Sequence, residues 1–185
     1  MNLSTDFLSI GPAHIFIGTA GDLVDELDIV ALESDTGLAG WTHLGQTTEA
    51  VEISDSKTFA EARSEQSSRT LDVAISARST MVKSTLRELQ VGTLASILHG
   101  TATTTSNVTD IAPQGLGPVA KFAVAAVGSW PGGRMLWVAP RCVYKGDFSI
   151  SKSTQGFDTI PFEIEVLETS AVPGSCRWTA IGPAV

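Results

Sequence analysis

The chain has 185 residues and a net charge of −8, with 43% hydrophobic and only 17% charged residues. That is enough apolar material for one substantial core, it leaves little room for a second domain, and so thin a complement of charges points to a surface partly covered by self-association. The acidic balance argues against a nucleic-acid reader, because phosphates would repel it.

Acids crowd the first third. Residues 1–62 carry eleven acids and one base, Lys57, which leaves nine acids and eleven bases for the remainder. An acidic surface of this kind keeps a protein soluble, repels DNA or meets a basic face on an identical neighbour. The two cysteines, Cys142 and Cys176, are too few to staple a chain of this length and are expected as reduced strand or core residues of a cytosolic product. No basic stretch followed by an apolar run opens the sequence, and no run approaches the length of a membrane span, so neither a signal peptide nor a spanning segment is expected. Asn107-Val108-Thr109 matches a glycosylation sequon, which in an unsecreted protein is a chance match.

Residues 1–12 read as an arm. The apolar run 13–18 lies between Gly-Pro and Gly-Thr-Ala-Gly-Asp and suits a strand bounded by turns. In the acidic segment 22–40, Leu27, Ile29, Ala31 and Leu32 settle on no single period, so an extended arm or loop with at most one strand is expected. From 47 to 54, Val51 and Ile53 share one face and Ala50, Glu52 and Ser54 the other, as a half-buried strand requires. Residues 55–68 are rich in Ser, Glu, Asp and Lys, with Phe59 their one large apolar group. They read as a long polar hairpin loop or a poorly buried strand pair, and long loops in compact domains are usually functional or mobile.

Leu71, Val73, Ile75 and Ala77 alternate with Thr70, Asp72, Ala74 and Ser76, the clearest strand signal in the chain. Its end has two readings. Thr85 and Glu88 fit a capping box, with Leu86, Leu89, Leu94 and Ile97 on one helical face. Alternatively Thr80, Val82 and Ser84 prolong the strand and the helix starts later, which is the stronger reading because these residues extend a strand more naturally than they open a helix; His99 and Gly100 close it either way. Residues 101–118 read as a linker-like loop. Strands are then expected over 119–127, 134–139, 142–150, 159–168 and 177–181, with spacing that suits an antiparallel sandwich or barrel.

No motif for catalysis survives its context. Gly115-Leu116-Gly117-Pro118-Val119-Ala120 fits a loose dinucleotide fingerprint, yet it neither leaves a buried strand nor opens a helix. Glu163 and Glu165 project from one strand face and could flank a glycosidic bond, but Phe162, Ile164 and Val166 on the other face make them the wet side of a half-buried strand. His14, His43 and His99 lie in separate segments, so a metal site would need the fold to gather them. Neither a Gly-x-Ser-x-Gly elbow nor a Walker loop is present. Trp41, Trp130, Trp137 and Trp178 could form a carbohydrate platform but are expected mainly in the core or at subunit contacts. No catalytic, cofactor-binding or metal-binding residue is expected, and the chain does not read as an enzyme.

The order of pieces from 41 to 100 resembles the tail tube (major tail) proteins of long-tailed bacteriophages and gene transfer particles. The features that carry this are Trp41-Thr42-His43-Leu44-Gly45, Ser64-Glu65-Gln66, and Thr85-Leu86-Arg87-Glu88 followed at once by a helix. Further on, Arg141-Cys142-Val143, Gly146-Asp147-Phe148-Ser149-Ile150 and the stretch 156–167, in which Pro161-Phe162 opens a long strand, look like the family's closing strands. The resemblance implies a mainly β, antiparallel β-sandwich flanked by one α-helix, with the chain extended to about Arg87, the helix starting near Gln90 and residues 1–185 as one tail-tube domain. It implies homohexameric rings stacked into a tube, with a continuous inner β-barrel through which DNA passes without specific binding. Implied partners are further copies of the chain, a tape-measure protein, a tail terminator and distal tail or baseplate proteins. No cofactor or membrane is implied, and the setting is a virion tail assembled in the bacterial cytoplasm. Glu49, Glu52 and Asp72 would line the lumen, and the polar segment 55–68, with Asp55, Lys57, Arg63, Glu65 and Gln66, would pack onto the next ring. The alternative is a monomeric β-sandwich binding module, an adhesin or a carbohydrate-binding domain.

Overall fold

The computed structural model describes residues 8–24, 28, 38–63, 70–87, 95, 100–105, 108–112, 118–130, 133–146, 160–169 and 175–181. Among these the chain is almost wholly strand: β1 (Leu8–Thr19), β2 (Trp41–Arg63), β3 (Thr70–Leu86), β4 (Thr101–Thr105), β5 (Val108–Ala112), β6 (Phe122–Trp130), β7 (Gly133–Tyr144), β8 (Ile160–Val166) and β9 (Arg177–Ile181). Seven of them form one antiparallel sheet in the order β6-β1-β2-β3-β8-β7-β9, and β6 also pairs with β7. The expected sandwich is thus one continuous sheet that closes on itself through six strands. Strand β9 is added beside β7, on the edge that β8 uses further along.

Side-chain alternation explains why the sheet closes. Ile15 and Ile17 of β1, Val51 and Ile53 of β2, and Val82 and Leu86 of β3 turn inward. They meet Val124, Trp137, Phe162 and Ile164 in one buried cluster. Trp137 and Phe162 are the largest side chains in it, and each such group contributes about 1.5–3 kcal/mol by leaving water. The opposite faces of β1, β6 and β7 carry a second apolar layer, Phe16, Ala125, Val127, Leu136 and Val138. Val24 completes it, with Leu38 and Trp41 packed against it. Two short contacts hold the chain after β1 in place: Gly21 N–H donates to Pro140 O at 2.7 Å, and the Arg177 guanidinium donates to Val24 O.

Several expectations meet the structure differently. The polar segment expected as a loop over 55–68 is strand as far as Arg63, the poorly buried strand pair of the two readings. Strand β3 runs to Leu86, so the chain stays extended past Thr85 and no capping box opens there. Of the expected helix, only Ala95 is described; it is helical and buried, and accepts a hydrogen bond from Gly100 N–H at 2.8 Å. The 101–118 linker is in part a hairpin of β4 and β5, because its Thr, Val and Ile are β-branched and pair readily. The strands expected at 134–139 and 142–150 are one element, β7, up to Tyr144. Pro140 does not break it: the register slips there, with Cys142 opposite Phe122 but Ala139 opposite Val124, and a bulge tolerates a residue without N–H.

Candidate assembly surface

Among the described residues, β1 joins β2 no further out than Leu8 beside Ile53, and β8 leaves β3 at Thr80 beside Val166. Beyond these points β2 and β3 pair only with each other among the described residues, from Asp55 opposite Thr80 to Arg63 opposite Thr70. The result is a two-stranded arm that projects from the closed sheet by about 25–30 Å at ~3.3 Å per residue. Near its middle the register slips between Thr58 and Phe59, leaving Ser76 as an extra residue whose Oγ donates to Thr58 O at 3.0 Å. Such a bulge increases the local twist. Immediately past it, Phe59 and Ile75 stand opposite each other, 57% and 55% exposed.

The base of the arm is clamped. Asp55 lies opposite Thr80, and its carboxylate accepts from Arg78 Nε at 2.8 Å and Thr80 Oγ1 at 3.0 Å, with Lys57 Nζ 3.3 Å away. Burial works against ionisation of Asp55, but the hydrogen bonds from Arg78, Lys57 and Thr80 outweigh it and hold the carboxyl below its ordinary range.

On the outer face of the closed sheet, Glu52, Lys83 and Glu163 form one cross-strand row over β2, β3 and β8. Lys83 binds Glu163 at 3.0 Å, and Lys145, just after β7, binds Glu165 at 2.6 Å. Beside this row β2 takes two extra residues between Thr47 and Glu52, opening a shallow cleft of about 210 Å³ lined by Glu49, Ala50, Glu52, Lys83, Ser84 and Thr85.

Of the residues expected to line a lumen, Glu49 and Glu52 therefore come together on one exposed surface. Asp72 does not join them: its backbone pairs with Ala62 on the arm, ten strand positions or about 30 Å from Glu52. Asp55 and Lys57 sit in strand at the arm base and Arg63 at its far end, whereas Glu65 and Gln66 lie outside the described residues. Arg78, Thr80, Lys83 and Lys145 were not singled out by the sequence reading, since their partners are set by cross-strand register.

Trp137 is fully buried and Trp41 and Trp178 are half-buried; the side chain of Trp130 lies outside the description. Both cysteines are free thiols, and burial pushes Cys142 well above the usual thiol range. The fold does gather two of the three histidines: His14 Nδ1 and His43 Nε2 are 3.1 Å apart. His99 lies outside the described residues. Among the described residues no group of three or more His, Cys, Asp and Glu side chains could hold a metal, and no helix is long and apolar enough to cross a membrane. No protein-family model matches the chain, and no curated protein is detectably similar to it.

Proposed function

We propose that this protein is a structural subunit of a tail tube, whose copies join as six-membered rings and stack into a hollow conduit for DNA. The observation that carries the reading is the β2–β3 arm. A two-stranded ribbon is marginal in water by itself, and this one presents Phe59 and Ile75 to solvent together with strand edges that have no neighbour among the described residues. Exposed edges of this length invite further pairing, and closure of copies in a ring removes the hazard. In the assembled state the arm reaches the next subunit, and its apolar pair is covered there.

If each of six subunits gives four strands to a common barrel, 24 strands at ~4.8 Å spacing and a tilt near ~40° give a backbone diameter of roughly 48 Å. Side chains narrow that bore but leave room for a duplex. The surface bearing Glu49, Glu52, Glu163 and Glu165 suits the channel wall. Lys83 and Lys145 on it are engaged by carboxylates, which reduces the free positive charge that passing phosphates meet. The role is structural and non-catalytic, within a virion tail, with tape-measure, terminator and distal tail proteins as further partners.

Size-exclusion chromatography with negative-stain microscopy tests this. Wild-type protein is expected to yield six-fold rings or hollow tubes. A Phe59→Asp, Ile75→Asp variant is expected to keep its circular dichroism spectrum but remain a monomer. A wild-type chain that stays monomeric at every concentration and salt tried, and binds glycans, would replace this reading with the binding module.

A further inference from the structure

His14 and His43 are brought together by a slip in strand register. Ile15 of β1 lies opposite Gly45, yet the next residue, Phe16, lies opposite His43, which leaves Leu44 as an extra residue on β2. Leu44 turns into the core, while His43 shares the outer face with His14 and Phe16. The two imidazoles are half-buried, with ring centroids 5.2 Å apart and planes tilted by 37°. The ring of Phe16 also lies against His43, with centroids 5.0 Å apart and planes tilted by 46°. Both rings therefore sit on adjacent, hydrogen-bonded strands of the closed sheet, with their nitrogens converging at 3.1 Å.

We propose that this pair is a binding site for a divalent transition-metal ion of the Ni²⁺, Cu²⁺ or Zn²⁺ class. Metal–imidazole bonds of about 2.0–2.1 Å to two nitrogens 3.1 Å apart subtend an angle of about 98° at the ion. That falls between the right angle of square and octahedral sites and the tetrahedral angle, so the spacing of the nitrogens suits an ion once the rings turn their lone pairs from one another toward it. To bind the ion, each ring turns the lone pair of its facing nitrogen to the metal and carries its hydrogen on the other nitrogen. Gln46, opposite His14, is the neighbouring polar position on β2. Because no third His, Cys, Asp or Glu joins the pair among the described residues, water completes the coordination. An ion held there clips β1 to β2 at the point where their register slips, so binding stabilises the fold by linkage.

Ni²⁺ is the suitable probe, since it does not oxidise Cys142 or Cys176. Untagged protein is titrated with NiCl₂ while the unfolding midpoint is followed. At about tenfold excess over the dissociation constant, a rise of about 3–6 °C is expected for a chain of this size. His14→Ala and His43→Ala are each expected to abolish the rise. As a check that does not depend on those variants folding, substoichiometric Ni²⁺ should broaden the imidazole proton resonances of His14 and His43 in the wild-type spectrum. No midpoint shift at millimolar Ni²⁺, or equal binding by both variants, would reduce the contact to a hydrogen bond between rings. The assembly reading would be untouched by that result.

Discussion

At Gly18 a single hydrogen in place of a methyl lets Trp41 lie against the outer apolar layer. A Cβ there would meet ring atoms of Trp41 at 2.9 Å, closer than atoms in a packed interior come, so the indole must move. Gly18→Ala is expected to cost about 1–3 kcal/mol in urea denaturation and to red-shift tryptophan emission as Trp41 is displaced. Asp55 predicts a pH effect of definite sign. Its carboxyl is held below the ordinary range in the folded chain, so its contribution is fully present above the unfolded-state value of ~3.9 and fades as pH falls through the lower folded one. Wild-type stability should therefore drop on acidification below about pH 4, and Asp55→Asn should flatten that part of the profile measured by thermal unfolding. Such a cluster was partly legible. Asp55 and Lys57 stood out as polar residues of a long connection, but that Arg78 and Thr80 face them follows only from register, which alternation alone does not supply.

The long hairpin divides into a part that belongs to the core and a part that does not. Val51, Ile53, Val82 and Leu86 are buried within the closed sheet, while every residue from Asp55 to Ala60 whose side chain is described is exposed. Replacing residues 57–77 by a two-residue turn is thus expected to shift the unfolding midpoint by only a few degrees (~2–4 °C per kcal/mol at this size), while abolishing any ring or tube seen by microscopy. Strand signals followed apolar alternation whether or not the apolar side is buried within one chain: Val51 and Ile53 are buried, whereas Ile75 and Ala77 are exposed. The alternation at 71–77 and at 51–53 was clear, and β9 appears over the residues expected for it. The arm's outgoing strand was ambiguous, because 55–63 offers Ser, Thr, Lys and Ala with Phe59 as its one large apolar group, too few apolar residues to set a period. The β4–β5 hairpin was lost among Thr and Ser that also mark loops, and Pro140 suggested a break where the chain makes a bulge.

For the molecule as a whole, the outer surface with Glu49 and Glu52 matters through its sign. Glu49→Lys together with Glu52→Lys is expected to leave assembly intact but to make assembled protein retain duplex DNA in a gel-shift assay, with binding that falls steeply as salt rises. In particles carrying these changes, genome release should slow. The class of fold was readable because many short alternating runs with turns between them admit few other architectures; closure of the sheet was not, since no local pattern records which distant strands meet. That closure has a consequence for synthesis. Strand β1 is the earliest of the nine to leave the ribosome, yet one of its two neighbours, β6, begins only at Phe122. For most of translation the N-terminal strand is therefore half-mated, and nascent chains stalled before that point should be captured by chaperones or aggregate, whereas only chains released beyond Val166, the end of β8, can seal the sheet.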